Sequence, residues 1–177
     1  MMTLSLKNRK GLTLIEVVVY VALLGFVLTL IANFLIQITS AYRTLDQKRE
    51  AASNARLILE TLRNSIEASR EVYAPTSAFN RNLGQLSLVS AEGAGAGHAT
   101  RYIDFWIDNG RLWIRREGSA DEAISSARVQ VSKLYLERIM QGFGREAVKI
   151  TLVIDPLNTR VSESVTLHST FVLRGNY

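Results

Sequence analysis

Glu16 is the ionisable residue with the least ordinary surroundings in this sequence. It is the one carboxylate in an apolar run from Leu12 to Ile38. An ionisable side chain placed in lipid costs about 2.5–3.5 kcal/mol on insertion scales and more in some simulations, so it needs a partner. Just upstream lies a short basic leader carrying Lys7, Arg9 and Lys10 and no acid; it ends at Gly11, five residues before Glu16. The other residues capable of chemistry are scattered. His98 falls in the small, flexible stretch Ala91–His98 and His168 in an apparent strand, with no His-x-x-x-His or carboxylate spacing to indicate a metal. The alternating Gly93, Gly95 and Gly97 superficially resemble a phosphate loop, yet no Gly-Lys-Ser/Thr follows and no helix opens after them. Asp104 and Asp108 bracket a strand, and Asp121 and Glu122 sit in a polar loop, neither pair in an acid/base setting. Tyr102, Trp106 and Trp113 could form an aromatic platform for a sugar or a strand of DNA; cross-strand packing accounts for them as well. The sequence therefore offers no catalytic constellation and implies no cofactor or metal.

The run that holds Glu16 exceeds the roughly 18 apolar residues that mark a membrane-spanning helix. An ordinary secretory signal, with Thr39-Ser40-Ala41 as its cleavage site, would carry an apolar region of only about 7 to 15 residues. A plain single-pass anchor is the other simple reading. With the basic leader on its N-terminal side, the positive-inside rule places residues 1–11 in the cytoplasm and the chain beyond about Ser40 outside it. Gly25, Thr29 and Asn33 recur every four residues on one helix face, the spacing of small and polar seams between membrane helices. Simple tolerance of small residues explains that spacing equally.

Lys10-Gly11-Leu12-Thr13-Leu14-Ile15-Glu16 and the apolar residues after it resemble the class III signal and N-terminal helix of type IV pilins and type II secretion pseudopilins. The resemblance implies that prepilin peptidase cuts between Gly11 and Leu12 and that Leu12, in a place where the family usually has Phe or Met, becomes the methylated first mature residue. It also implies that Glu16 is the family's glutamate that pairs with the terminal amine of a neighbouring subunit during assembly. The helix segment Ala55–Leu62, the hairpin containing Trp113 and the closing Phe171-Val172-Leu173-Arg174 look most like the J-type minor pseudopilin and the W-type minor pilin. On this resemblance the chain is a structural subunit of a type II secretion system or type IV pilus, acting in a tip or priming complex. Its partners would be other minor and major pilin-like subunits, the peptidase and methylase, an inner-membrane assembly platform and the bilayer. It would sit in the bacterial inner membrane with its C-terminal domain extracytoplasmic before joining a fibre. A ligand-binding tip pilin, for adhesion or DNA uptake, is the alternative.

Composition is consistent with one extracytoplasmic domain. The formal charge is +5, but three of the 21 Lys and Arg lie in the leader; without it 18 face 16 acids, a balance of +2. With no Lys/Arg-rich block, charge does not indicate nucleic acid as a partner. There is no cysteine, which excludes a disulfide framework and thiolate chemistry. Eleven glycines and two prolines are too few for a fibrous or disordered chain.

No proline occurs before Pro75, so a helix can run from residue 12 to about 72 without a forced kink, around 90 Å. The expected organisation is a leader (1–11), an assembly helix (12–38) and a globular domain (39–177) that includes an amphipathic helix over 40–72. In that helix Leu45, Ala52, Ala55, Leu59, Leu62 and Ile66, with Ile58 alongside, form an apolar stripe. Arg49, Arg56, Glu60, Arg63, Glu67 and Arg70 occupy the opposite face. The stripe needs a cover; the sheet that follows supplies one, and a coiled-coil seam is the competing reading. Strands are expected at Gln85–Ser90, Arg101–Ile107 and Arg111–Arg116, the last two joined by an Asn109-Gly110 turn of type I′. Glu117–Ser126 reads as loop. A strand from Val129 changes phase near Ser132-Lys133, as a bulge would require. A Gly142-Phe143-Gly144 turn leads to Ala147–Ile154, and Val161–Leu173 closes the chain. One helix followed by consecutive strands on short turns predicts an α+β fold, pilin-like in plan, with a long N-terminal helix packed on a mainly antiparallel β-sheet.

Overall fold

A computed structural model describes residues 13–90, 101–141, 145–157 and 164–174. The leader with Gly11 and Leu12, the glycine stretch with His98 and the Gly142-Phe143-Gly144 turn lie outside the described residues. The chain divides into two compact units, Met1–Arg43 and Thr44–Tyr177. Helix α1, Leu14–Glu67, contributes to both.

In the first unit α1 is apolar on every side, and Leu14, Ile15, Val17, Phe26, Leu30 and Phe34 are all more than half exposed or nearly so. By length and composition this helix is able to cross a membrane. Its hydroxyls turn back onto their own backbone: Thr29 Oγ1 donates to Gly25 O at 2.9 Å and Thr39 Oγ1 to Leu35 O at 2.8 Å. Such bonds satisfy polar atoms where no water is at hand.

In the second unit the helix meets two antiparallel sheets. One has the order β1-β2-β3-β4-β5, from Ser69–Val72, Leu86–Ser90, Arg101–Asp108, Arg111–Arg116 and Glu122–Ala123; the other has the order β6-β7-β8, from Val129–Gln141, Arg145–Pro156 and Val165–Val172. The α+β class expected from the sequence is the one observed, with the cover split into two sheets. Backbone bonds join them: Leu134 N–H donates to Asn82 O and Gly84 N–H to Leu134 O, both at 2.8 Å, and Val131 N–H donates to Gly110 O at 2.8 Å. Gly84 is required by this approach, because a Cβ there would lie 2.9 Å from Leu134 O and 3.0 Å from Leu136 Cδ1. Asn109 and Gly110 have φ of 50° and 72°, the pair of positive values that a type I′ turn demands. The ladder between β6 and β7 slips between Val131 and Lys133, where the change of phase predicts a bulge.

The core joins Ala51, Ala55, Ile58, Leu62 and Ile66 of α1 to Phe105, Leu112 and Ile114 of the larger sheet and Leu134, Leu136, Ile150 and Leu152 of the smaller. The apolar stripe is therefore covered by sheet. Its phase differs from that expected: Leu45 is 51% exposed, Ala52 and Leu59 are only partly buried, and Ala51 and Ile58 are wholly buried. Small residues at 51 and 55 allow close approach, and the buried line also takes in Asn54 and Ser65.

Two boundaries also differ. α1 ends at Glu67 rather than near residue 72, and Ser69–Val72 is strand, pairing Ser69 with Ser90, Glu71 with Val89 and Val72 with Leu88. Pairing with β2, which is buried along its whole length, outweighs continuation of the helix there. Within the expected loop 117–126, Glu122 and Ala123 form the short β5 by pairing with Ile114 and Trp113.

Candidate functional site

Glu16 lies in the first turn of α1. Thr13 caps that turn: its carbonyl accepts from Glu16 N–H at 3.0 Å and from Val17 N–H at 3.3 Å, and its Oγ1 lies 3.4 Å from Glu16 N. The Glu16 side chain runs along the helix away from the cap. Its Oε1 accepts from the Tyr20 hydroxyl at 3.3 Å, one turn on. Glu16 is half-buried where its neighbours are exposed. Sequence reasoning missed both contacts, though Thr13-x-x-Glu16 has capping-box spacing and Tyr20 the i,i+4 spacing that places side chains side by side.

Tyr102 and Trp106 alternate onto one face of β3, four residues apart, and the structure brings Trp106 to Trp113 but not to Tyr102. Trp106 and Trp113 are directly opposed across β3 and β4. Arg115 lies over the Trp106 ring at 5.2 Å and Arg111 over the Trp113 ring at 5.4 Å. Tyr102 meets Tyr73 edge to face at 5.2 Å between centroids. These cations are already engaged: Arg115 Nε and Nη2 donate to the two oxygens of Asp121 at 2.5 and 2.7 Å, and Arg111 donates to Ser125 O. The hydrogen bond from Arg115 holds the Asp121 carboxyl below the ordinary carboxylate range, and the Arg115 guanidinium is raised by the same contact. Asp104, on this face, accepts from the buried Ser87 hydroxyl. It thus has a packing role beyond that of an outward-facing sheet residue.

His168 is on the exposed side of β8 with Nδ1 3.0 Å from Thr151 Oγ1. No group of three or more His, Asp or Glu among the described residues is placed to hold a metal. Two shallow clefts mark the second unit. One of about 350 Å³ is lined by Asp46, Gln47, Glu50, Arg128 and Pro156, and one of about 370 Å³ by Arg56, Leu59, Glu60, Arg63 and Phe171. Neither is lined by a histidine, and the second also takes in the Ser169 hydroxyl.

A search of curated proteins and of solved structures finds no match to the chain. Residues 6–32 match the model of the prokaryotic N-terminal methylation motif, a stretch that takes in the end of the basic leader, Gly11, Leu12, Glu16 and most of the apolar run. With the long apolar helix that follows, this motif supports a membrane-anchored precursor of type IV pilin or pseudopilin kind, a structural rather than enzymatic class, processed by prepilin peptidase and assembled with other pilins.

Proposed function

We propose that this chain is a minor pilin or pseudopilin that waits in the bacterial inner membrane, is cut between Gly11 and Leu12, and enters a fibre through its N-terminal helix. The machine would be a type II secretion system or a type IV pilus. In this reading Leu12 carries the new, methylated amine, residues 12–38 span the bilayer, and the globular part lies on the extracytoplasmic side. The resemblance of the Trp113 hairpin and the Phe171-Val172-Leu173-Arg174 end to J-type and W-type subunits favours a place in a tip or priming complex. The observation that carries the proposal is Glu16, a carboxylate in an otherwise apolar run at the fifth position after Gly11 and inside the matched methylation motif. Moving α1 from lipid to a bundle of like helices exchanges one apolar surrounding for another, so the added drive comes from pairing the stranded acid with a neighbour's terminal amine. Glu16→Ala should be cut normally yet recovered poorly in the fibre. Equal recovery would remove the role given to Glu16.

A second reading, a tip subunit that binds a ligand, is favoured by one observation: Trp106 and Trp113 face each other on an outer sheet surface with an arginine over each ring. Stacking on aromatic faces is how proteins hold sugars and unpaired bases.

A further inference from the structure

We infer that Tyr20 is a positioning residue for Glu16, holding its carboxylate by one oxygen and leaving the other to receive a neighbouring chain's amine. The inference rests on the docking role proposed for Glu16 and adds to it a residue that neither the motif nor the spacing of charges singles out. A glutamate at the third position of a capped helix ordinarily reaches back to the N–H of its cap. In this chain the carboxylate lies the other way, with Oε1 3.3 Å from the Tyr20 hydroxyl. The turn at Thr13 is already closed by its carbonyl and hydroxyl, so the Glu16 side chain is spare for another use.

Two consequences follow from chemistry. An ionised carboxylate has about four acceptor positions on its two oxygens, and the phenol takes one, so the second oxygen stays open to a cationic donor. The phenol is also a neutral donor that lipid tolerates. Its ring is carried on the apolar helix α1, where it is more than half exposed, and its hydroxyl accompanies the acid wherever the helix goes. Held at one side-chain angle, the acid loses less freedom when it docks than a freely rotating one. A Phe at position 20 keeps the ring and removes only the donor.

The test is a cycle of variants in the native membrane, read as the fraction of mature chain recovered in the fibre. Each variant is first checked to be cut at Gly11 and present at wild-type level. Tyr20→Phe should lower recovery about tenfold, the low end for a hydrogen bond to a charged group. Glu16→Ala should lower it further, and Tyr20→Phe should then have no additional effect in the Glu16→Ala background. If Tyr20→Phe recovers like wild type while Glu16→Ala is defective, the inference fails and the docking role survives. If Tyr20→Phe weakens both backgrounds by the same factor, Tyr20 acts through its own contacts and the inference fails too. If Glu16→Ala itself recovers like wild type, the docking role falls first and takes the inference with it.

Discussion

Asn54 on α1 accepts the N–H of Ser126 through Oδ1 at 2.8 Å while its Nδ2 donates to Glu50 O at 2.9 Å. One amide thus ties the helix to the segment that enters β6, and it does so from inside the packed face, at 8% exposure. Arg138 and Glu146 make a comparable tie in the smaller sheet, where the buried Glu146 carboxylate also accepts from Val72 N–H of β1 at 3.4 Å.

Replacing Asn54 tests that tie. Asn54→Ala leaves the part-buried Ser126 N–H without its acceptor, a loss of about 1 kcal/mol. Thermal unfolding of the chain in detergent should show a lower Tm. An unchanged Tm would mean that water or a neighbouring carbonyl replaces the amide without cost.

The Arg115–Asp121 pair predicts a pH dependence with a definite sign. Asp121 is depressed in the folded chain, first by the side-chain hydrogen bond from Arg115 and opposed by desolvation. Its contribution is therefore complete above the unfolded carboxylate value, about 4, and is lost as pH falls through the lower folded value. Both side chains are exposed, 55% and 37%, so the effect is small. The Tm of Asp121→Asn should lie slightly below that of the parent at neutral pH, with the gap closing as the pH is taken below 4. A gap independent of pH would place the effect in packing of the β4–β5 edge.

The outer aromatic pair separates the two functional readings. If Trp106 and Trp113 only pack across the hairpin, changing either to Leu should lower stability by about 1 kcal/mol, the scale of a cross-strand pair, and leave fibre entry intact. If they bind a ligand, the full-length chain in detergent should titrate with an oligosaccharide or single-stranded DNA by tryptophan fluorescence, and Trp106→Leu should abolish the signal. No fluorescence change with either probe removes the ligand-binding reading for those classes.

Local chemistry made much of this fold legible. Asn109-Gly110 specified its turn because few residues accept two positive φ values, and the shift in apolar spacing around Ser132 marked the bulge within β6. What local pattern could not provide was anything decided by a distant partner. With no proline before Pro75 the helix is free in sequence to run to about residue 72, and only pairing with β2 turns residues 69–72 into strand. Of the stripe expected on α1, Ala55, Ile58, Leu62 and Ile66 are buried, but the sheets take in Ala51 and Asn54 and leave Leu45 exposed and Ala52 and Leu59 at the edge. At the N-terminus the isolated acid was plain from composition alone. Tyr20 was hidden because a tyrosine in an apolar run reads as one more hydrophobic residue.

The most direct test of the whole account is the mass of the N-terminal peptide of the native chain recovered from membranes. The account predicts a peptide that begins at Leu12 and carries one methyl group on its amine, and an uncut precursor when Gly11 is replaced by alanine. A native product that begins at Met1, or at a residue beyond Ser40, would contradict it.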